Sequence, residues 1–298
     1  MSQIKLSYVI TTRNKLPYLR EVMQRLLENV QADEEIVVAD GASTDGTVDY
    51  LKDLYEQGKI HQFISEPDKG EAHGYNKCLL MARGELIKII TDDDVFYYPG
   101  IQECKQFMLA HPDIDVLGTQ GASGGGCLSP QEFTQYLDRY KAWKETVRAF
   151  DFSGLGLMIR RSSIPLTGLF NTNFLWVDCE FTYRITSRHV NLAWFTGLCW
   201  VHCGNLQSNS RQWKRMRLDM DRLDKFYGIS KQPIKRVQER IFTLKVDTVN
   251  LLKKVQFLDK LKEQVRPERV IPQIEDVHAF NYQWLEEKSI QRKSHFLH

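Results

Sequence analysis

The sequence has no long hydrophobic run. No stretch approaches the roughly 18 to 20 apolar residues that a helix needs to cross a bilayer, so we expect no transmembrane helix. The first residues, MSQIKLSYVITT, hold a short apolar run that alternates as a strand does and lacks a small-residue cleavage site, which argues against a signal peptide. The six cysteines form no CxxC pair, and we expect them to be reduced thiols of a cytosolic protein.

An overall charge bias is also absent, because 40 Lys and Arg face 38 Asp and Glu, and we expect no nucleic-acid partner. The charges are unevenly distributed, however. Residues 207–298 carry 20 basic and 12 acidic side chains, whereas residues 1–206 carry 20 basic and 26 acidic side chains. Apolar residues at helical spacing in the basic part predict a helical C-terminal extension. This extension is expected either to contact the inner face of a membrane or to pack on the N-terminal part of the chain or on a second subunit of a homo-oligomer.

Known phosphate-binding loops are missing as well. The glycine-rich stretch GASGGGCLS (121–129) has neither the GK[ST] ending of a P-loop nor the spacing of a dinucleotide fingerprint. We interpret it either as a loop beside the functional site or as an ordinary surface loop. The segment after the first predicted strand, TTRNKLP, has no glycine, which disfavours a nucleotidyltransferase.

The first half of the chain alternates strand and helix patterns with short joints. Buried-strand patterns are LSYVITT, EEIVVAD, IHQFISE, ELIKIIT and DIDVLGT, and helical spacing occupies the segments between them. This order predicts an α/β fold whose mainly parallel sheet is covered by helices on both faces. We also expect Thr44 or Asp45 to cap the second helix and Gly84 to end the third as a left-handed cap.

Polar clusters follow four of these strands. They are Thr11 to Asn14, Asp40 to Ser43, Glu66 to Asp68, and Asp92 to Asp94. Because α/β sheets bind ligands outside the carboxyl ends of their strands, these clusters predict the rim of one pocket. Three adjacent carboxylates repel one another unless a cation is present, and oxygen ligands suit Mg²⁺ or Mn²⁺. An acidic loop that caps the next helix is the alternative interpretation of the triplet.

Taken together, these motifs resemble the family 2 glycosyltransferases, which have the GT-A fold. The resemblance runs through SYVITTRN, EEIVVADGASTDGT, SEPDKGEAHGYNKCLLMARGELIKIITDDD, YYPGIQ, SGLGLMIRRSSIPLTGLF and FLWVDCEFTYRI. It implies a three-layer α/β/α sandwich with a mainly parallel, mixed sheet and a helical C-terminal appendage. The expected domains are a catalytic domain over 1–206, with a nucleotide-binding half (1–118) and an acceptor-binding half (119–206), and an extension over 207–298.

The resemblance also implies roles for individual residues. The nucleotide would contact the strand-end residues of the first half, and the metal, Mn²⁺ or Mg²⁺, would be held by the end of the acidic triplet and a histidine near residue 200. The predicted nucleotide-binding residues are Thr11, Arg13, Asp40, Asp68 and Asp92, and the predicted metal ligands are Asp93, Asp94 and His202. Either Asp92 or Asp94 would be the partner of Asp93 at the metal. The alternatives for His202 are a hydrogen bond to the diphosphate and a purely structural role. The family often has Leu-Asp-Ser-Asp-Asp at the triplet, so Thr91 stands where the first aspartate is usual.

The catalytic base is expected in WVDCEFTYR (176–184). An aspartate six residues before an arginine resembles the family's acidic segment, which makes Asp178 the first candidate base and Glu180 the second. A carboxylate there would accept the acceptor's proton while the metal stabilises the leaving diphosphate.

The sequence therefore predicts a metal-dependent, inverting glycosyltransferase. Its donor would be a UDP-, GDP- or dTDP-sugar and its acceptor a saccharide or lipid-linked saccharide, in the synthesis of a surface or extracellular polysaccharide. Two alternatives remain at this point: a catalytically degenerate module that binds nucleotide sugars, and a nucleotidyltransferase.

Overall fold

The structure is a computed structural model that describes residues 3–124, 130–188, 190–204, 212–228 and 273–298. Part of the glycine-rich stretch and most of the basic C-terminal region lie outside these ranges. The predictions made for those parts, including the membrane-contacting helices, therefore concern residues that the structure does not describe.

The first half has the alternation that the sequence predicts. Its elements are β1 (Leu6–Thr12), α1 (Leu16–Asn29), β2 (Glu34–Asp40), α2 (Thr47–Glu56), β3 (Gln62–Ser65), α3 (Glu71–Met81), β4 (Leu86–Ile90), β5 (Val95–Phe96), α4 (Tyr98–Ala110) and β6 (Val116–Ser123). The second half adds β7 (Gln131–Glu132), α5 (Thr134–Thr146), β8 (Met158–Arg160), α6 (Ile164–Thr167), α7 (Val177–Thr186), β9 (Leu192–His202), α8 (Trp213–Phe226), α9 (Ile274–Gln291) and β10 (Phe296–Leu297). A short 3-10 turn at Gly154–Gly156 precedes β8.

The strands form one sheet in the order β10-β9-β6-β8-β4-β1-β2-β3, with β5 on β9 and β7 on β6. The strands β4, β1, β2 and β3 are parallel neighbours, so their carboxyl ends lie along one edge. Strand β8 is antiparallel to both β4 and β6, which makes the sheet mixed. The parallel part therefore positions the polar clusters side by side, as the sequence predicts.

Alternating side chains divide the core into two layers. Tyr8 and Ile10 of β1 pack on the face covered by α1, α2 and α4, whereas Val9 packs on the face covered by α3, α5 and α7. This period of two, repeated in β2 and β4, buries both faces of the sheet and explains why these strands are continuous apolar runs. The three-layer α/β/α arrangement is confirmed.

The end of the chain joins the sheet, which the sequence pattern does not predict. Phe296 and Leu297 pair with Phe195 and Trp194 of β9, and Ser289 of α9 donates a hydrogen bond to the Leu198 carbonyl (2.9 Å). The described C-terminal residues thus pack on the central sheet itself. Among the helices of the described ranges, none has the length and apolar character needed to cross a membrane.

Two local predictions need correction. Gly84 does not end α3 in a left-handed conformation, because the helix ends at Met81 and its C-cap is Ala82. A Cβ at Gly84 would lie 2.6 Å from the Ser7 backbone nitrogen, so glycine is required there by close packing on β1. The N-cap position of α2 is Gly46, although the Asp45 carboxylate does accept the Thr47 amide hydrogen bond (3.1 Å).

Candidate active site

One cavity of about 400 Å³ opens at the carboxyl edge of the parallel strands. The sequence-predicted residues Thr11, Arg13, Asp68, Asp92, Asp93, Asp94, Asp178 and His202 all line it. Its apolar wall includes Tyr75, Leu155, Phe170, Trp176 and Val177. The structure therefore brings together residues that are up to 191 positions apart in the sequence, as a strand-end pocket requires.

The loop between β1 and α1 is fastened to the loop between β2 and α2. Asn14 has a left-handed backbone (φ 53°), its amide donates to Ser43 Oγ (2.8 Å), and its side chain accepts the Thr44 amide hydrogen bond (2.7 Å). The Asp45 carboxylate accepts the Leu16 amide hydrogen bond (3.0 Å) at the start of α1. These contacts fix the backbone of the neighbouring residues 13 and 15 at the cavity rim.

Two members of the acidic triplet bind a lysine. The Lys15 ammonium lies 3.0 Å from Asp92 Oδ1 and 2.6 Å from Asp93 Oδ2. Burial alone would lower the pKa of Lys15, but the two carboxylates more than offset it and raise that pKa. Burial raises the pKa of Asp92 to about 6, and Asp93 adds to the rise although Lys15 opposes it. The two side chains thus converge on a single cation.

Asp94 has different partners. Its Oδ2 accepts a hydrogen bond from Thr91 Oγ1 (2.7 Å) and its Oδ1 accepts one from the Cys203 amide (2.6 Å). Burial raises the pKa of Asp94 to about 7, Asp93 adds to the rise, and His202 opposes it. Asp94 therefore ties the strand-end loop to β9. In the ranges that the structure describes, no three or more His, Cys, Asp or Glu side chains are arranged to hold a metal.

The predicted nucleotide residues occupy two positions relative to the cavity. Thr11, Arg13 and Asp68 line it, whereas Asp40 is buried behind them and is engaged within the protein. The Asp40 carboxylate accepts hydrogen bonds from the Ser43 amide (3.0 Å), Ser43 Oγ (2.5 Å) and Ser65 Oγ (2.7 Å). Asp40 therefore orders the β2–α2 loop, and its direct contact with a nucleotide stays a prediction.

Gly74 allows α3 to approach the end of β1. A Cβ at Gly74 would lie 1.8 Å from Thr11 Oγ1 and 2.8 Å from Thr11 Cβ.

We expect Gly74→Ala to push the first turn of α3 away from β1, to lower the free energy of unfolding by about 1–3 kcal/mol, and to weaken nucleotide binding. Urea unfolding and nucleotide titration measure both effects. The exposed Leu80 on the same helix provides the control, since Leu80→Ala should change stability by less than about 0.5 kcal/mol. Equal effects of the two variants would contradict the packing argument.

Asp178 lies in the first turn of α7, with its carboxylate at the cavity. Its Oδ2 accepts a hydrogen bond from the Gly154 amide (2.9 Å), and a Cβ at Gly154 would come within 3.0 Å of the Asp178 Cβ. Burial raises the pKa of Asp178, and the Gly154 hydrogen bond partly offsets the rise. A half-buried carboxylate with a raised pKa, held in place by the Gly154 and Cys179 amides, is suited to accept a proton.

Glu180 has a structural role beside it. Its oxygens accept hydrogen bonds from Arg184 Nε (3.0 Å) and Nη2 (3.1 Å), and Arg184 also donates to the Thr167 and Leu169 carbonyls. Glu180 is buried and is absent from the residues that line the cavity. The contacts therefore favour Asp178 over Glu180 as the residue that faces a substrate.

Lys88 of β4 connects the strand that precedes the acidic triplet to the 3-10 turn next to Asp178. Its buried ammonium donates hydrogen bonds to the carbonyls of Leu155 (2.6 Å), Ile89 (2.9 Å) and Leu157 (3.3 Å). The 3-10 turn that supplies the Gly154 amide to Asp178 is thereby anchored to the strand that ends at the acidic triplet. Burial lowers the pKa of Lys88 to about 8.

This lowered pKa predicts a pH dependence of stability. Because the pKa of Lys88 is lower in the folded than in the unfolded chain, the unfolded chain binds more protons between about pH 8 and 10.5, and the free energy of unfolding rises with pH in that window. Lys88→Met removes this contribution. Urea unfolding at pH 7.5 and pH 10 should show the wild type gaining about 2 kcal/mol relative to the variant. A difference that does not change with pH would show that Lys88 does not titrate in this range.

Lys15 and Lys88 are two site residues that the sequence patterns did not predict. Lysine is common on protein surfaces, and only the three-dimensional contacts distinguish these two. A weak signal for Lys15 does exist, because it follows Asn14, a residue type that tolerates a left-handed turn, at the end of a buried strand.

The parallel strands of the first half, the mixed parallel and antiparallel pairing of the second half and a strand-end cavity lined by carboxylates define a GT-A type protein. The model of the family described as "Glycosyl transferase family 2" matches residues 7–164, and the chain belongs to this family. The chain is 32% identical over 154 residues to an uncharacterized glycosyltransferase from Nostoc sp. (strain PCC 7120 / SAG 25.82 / UTEX 2576), a match that spans 47% of this chain and 48% of that relative. The match thus covers about half the length of that relative.

Solved structures support the same fold. Staphylococcus aureus TarS 1–349 in complex with UDP-GlcNAc superimposes with a TM-score of 0.57 and 17% identity, over 96% of this chain and 92% of that one. The mannosyltransferase PcManGT from Pyrobaculum calidifontis, in complex with GDP-Man and Mn²⁺, superimposes with a TM-score of 0.55 and 18% sequence identity. This superposition covers 77% of this chain and 66% of PcManGT. The sequence-based family and fold predictions are confirmed, and the family match does not support the nucleotidyltransferase alternative.

Proposed function

We propose that the protein is an inverting glycosyltransferase that moves a sugar from a nucleoside-diphosphate sugar to the hydroxyl group of a saccharide or lipid-linked saccharide. One observation carries this proposal: the half-buried carboxylate of Asp178 lines the same cavity as Arg13, Lys15 and the acidic residues after β4. Sugar transfer requires a group that accepts the acceptor's proton and positive charge near the leaving diphosphate, both in one cavity. The structures of relatives with UDP-GlcNAc and GDP-Man support a nucleotide-sugar donor.

In the proposed reaction the acceptor oxygen forms a bond to the anomeric carbon while the bond from that carbon to the diphosphate breaks. Asp178 accepts the proton of the acceptor hydroxyl, and the diphosphate leaves with the electron pair. Arg13 lines the cavity and would offer positive charge to the diphosphate, whereas the Lys15 ammonium is paired with Asp92 and Asp93. Attack on the face opposite the leaving group inverts the anomeric configuration. Tyr75, Phe170 and Trp176 supply an apolar wall that excludes water.

A divalent metal fits this site in one respect. The Lys15 ammonium lies between Asp92 and Asp93 and contacts one oxygen of each carboxylate. These two oxygens therefore converge on a positively charged group, as the ligands of a metal ion do. Asp92 and Asp93 would therefore hold Mn²⁺ or Mg²⁺, which would act as a Lewis acid toward the diphosphate. Asp94 and His202, the other predicted ligands, line the same cavity, and their role as ligands is a proposal.

The remaining parts of the proposal have two sources. The family resemblance suggests a UDP, GDP or dTDP donor and a role in surface or extracellular polysaccharide synthesis. The cysteine pattern suggests a cytoplasmic location, and the basic, helically spaced C-terminal region suggests peripheral contact with the membrane. Such a location would bring the cavity near a lipid-linked acceptor.

Thermal-shift titration with UDP, GDP, dTDP and CDP, each with and without Mn²⁺, tests the donor site. Binding to the folded state alone raises stability by about 2.7 kcal/mol at one hundred times Kd. We expect one nucleotide to raise the melting temperature more in the presence of Mn²⁺. No shift with any nucleotide would contradict the transferase proposal. A rise in melting temperature without transfer or hydrolysis of the matching nucleotide sugar would instead indicate a degenerate binding module. That alternative remains open because Thr91 stands where the family usually has an aspartate.

A further inference from the structure

Lys15 is built into the acidic site rather than placed on its surface. Its side chain is 18% exposed, and the side chains of Asp92 and Asp93 are 8% and 11% exposed. The ammonium lies within 3.0 Å of one oxygen of each carboxylate. Two carboxylates that lie together out of water repel each other unless a cation lies beside them, and the Lys15 ammonium is placed to offset that repulsion.

The backbone around Lys15 is fixed on both sides. Asn14 is bound to Ser43 and Thr44, and the Leu16 amide is bound to Asp45. The side chain, in contrast, is a flexible four-carbon stem whose terminal ammonium contacts the two carboxylates. The ammonium can therefore leave the carboxylates by side-chain rotation while the loop keeps its position.

We propose that Lys15 is the resident counter-cation of the Asp92–Asp93 pair and that a divalent cation binds these carboxylates by displacing it. A Mg²⁺ or Mn²⁺ ion would lie about 2.0–2.2 Å from the same oxygens, where its charge and that of the ammonium repel each other strongly. The displaced ammonium remains attached at the cavity rim beside Arg13, on the side proposed for the diphosphate. Metal binding and donor binding would thereby be coupled through one side chain. The inference rests on the cation role proposed above for these carboxylates.

Mn²⁺ titration without nucleotide, followed by the electron paramagnetic resonance signal of the free ion, tests this inference. We expect Lys15→Met to bind Mn²⁺ at least about tenfold more tightly than the wild type, because the competing charge is gone. Lys15→Arg keeps the charge and should bind as weakly as the wild type. Lys69→Met removes an exposed lysine next to Asp68 at the cavity and serves as the matched control for general charge effects. The proposal is overturned if Lys15→Met binds Mn²⁺ no more tightly than Lys69→Met does. It is also overturned if no variant binds Mn²⁺.

A second measurement uses the wild type and does not depend on the folding of a variant. In ¹⁵N-lysine-labelled protein the paired Lys15 ammonium should give a slowly exchanging ¹H–¹⁵N signal, which Lys15→Arg identifies by its loss. We expect saturating Mg²⁺ to remove this signal. A signal that persists at saturation contradicts displacement. Because no nucleotide is present in either experiment, their failure is separate from a failure of the nucleotide thermal-shift test.

Discussion

Asp178→Asn is expected to lower kcat by a factor on the order of 10²–10⁴ while the donor nucleotide still binds. Asparagine has nearly the same shape and can still accept the Gly154 amide hydrogen bond that positions the side chain. It cannot accept a proton from the acceptor hydroxyl, so the loss falls on the chemical step. Turnover of the donor identified by thermal shift, measured as nucleoside diphosphate released in the presence of acceptor, gives the effect directly.

The pH profile provides a second readout of the same residue. Burial raises the pKa of Asp178, so the acid limb of kcat/KM should lie above the ordinary range of a carboxyl group. Activity should fall as the pH drops through that raised pKa, because the base becomes protonated. In Asp178→Asn the limb should be absent from the residual activity. A limb that persists unchanged in the variant would assign the titrating group to another residue.

Glu180→Gln is the matched control, since it changes the second acidic residue of the same helix turn. Glu180 forms a buried ion pair with Arg184, and removal of one buried partner typically costs about 3–5 kcal/mol. We therefore expect a clear loss of stability in urea unfolding but a smaller loss of kcat than in Asp178→Asn. A larger loss of kcat in Glu180→Gln, with the fold intact by circular dichroism, would make Glu180 the base.

Much of the first half of the fold could be predicted because its local patterns agree with its tertiary environment. Val9 and Ile10 face opposite layers that are both apolar, so the buried strand is visible as a run of apolar residues. The second half was less predictable. Strand β8 has three residues, and β10 has two and pairs with a strand about one hundred positions earlier. Such short strands carry almost no periodic signal, and their pairing depends on long-range packing.

The candidate site was predictable for a related reason. Parallel strands end at one edge, so a polar residue after each strand, such as Asp68 or Asp92, is directed to a common cavity by the chain order alone. The partners of those residues were not predictable. Asp40 orders its own loop, and the single ammonium of Lys15 pairs with two carboxylates. Such partners are set by distances that a single sequence does not contain.

Asp93→Asn is the second substitution with a large expected effect. The variant keeps the size of the side chain but removes one of the two charges that converge on a cation. Removal of one preorganised group that stabilises charge in the transition state typically costs about 10²–10³ in kcat. We expect a loss of this size in turnover, together with loss of the Mn²⁺ dependence of the nucleotide thermal shift.

Asp94→Asn is the comparison that separates cation binding from loop structure. Asp94 accepts hydrogen bonds from both Thr91 and the Cys203 amide, and an asparagine amide nitrogen cannot replace the second accepting oxygen. The variant should therefore lose about 1–3 kcal/mol of stability but keep a larger part of the Mn²⁺ effect than Asp93→Asn does. If Asp94→Asn instead abolishes the Mn²⁺ effect while Asp93→Asn retains it, Asp94 is the cation ligand and Asp93 is not, and the cation lies at the β9 side of the cavity, next to His202.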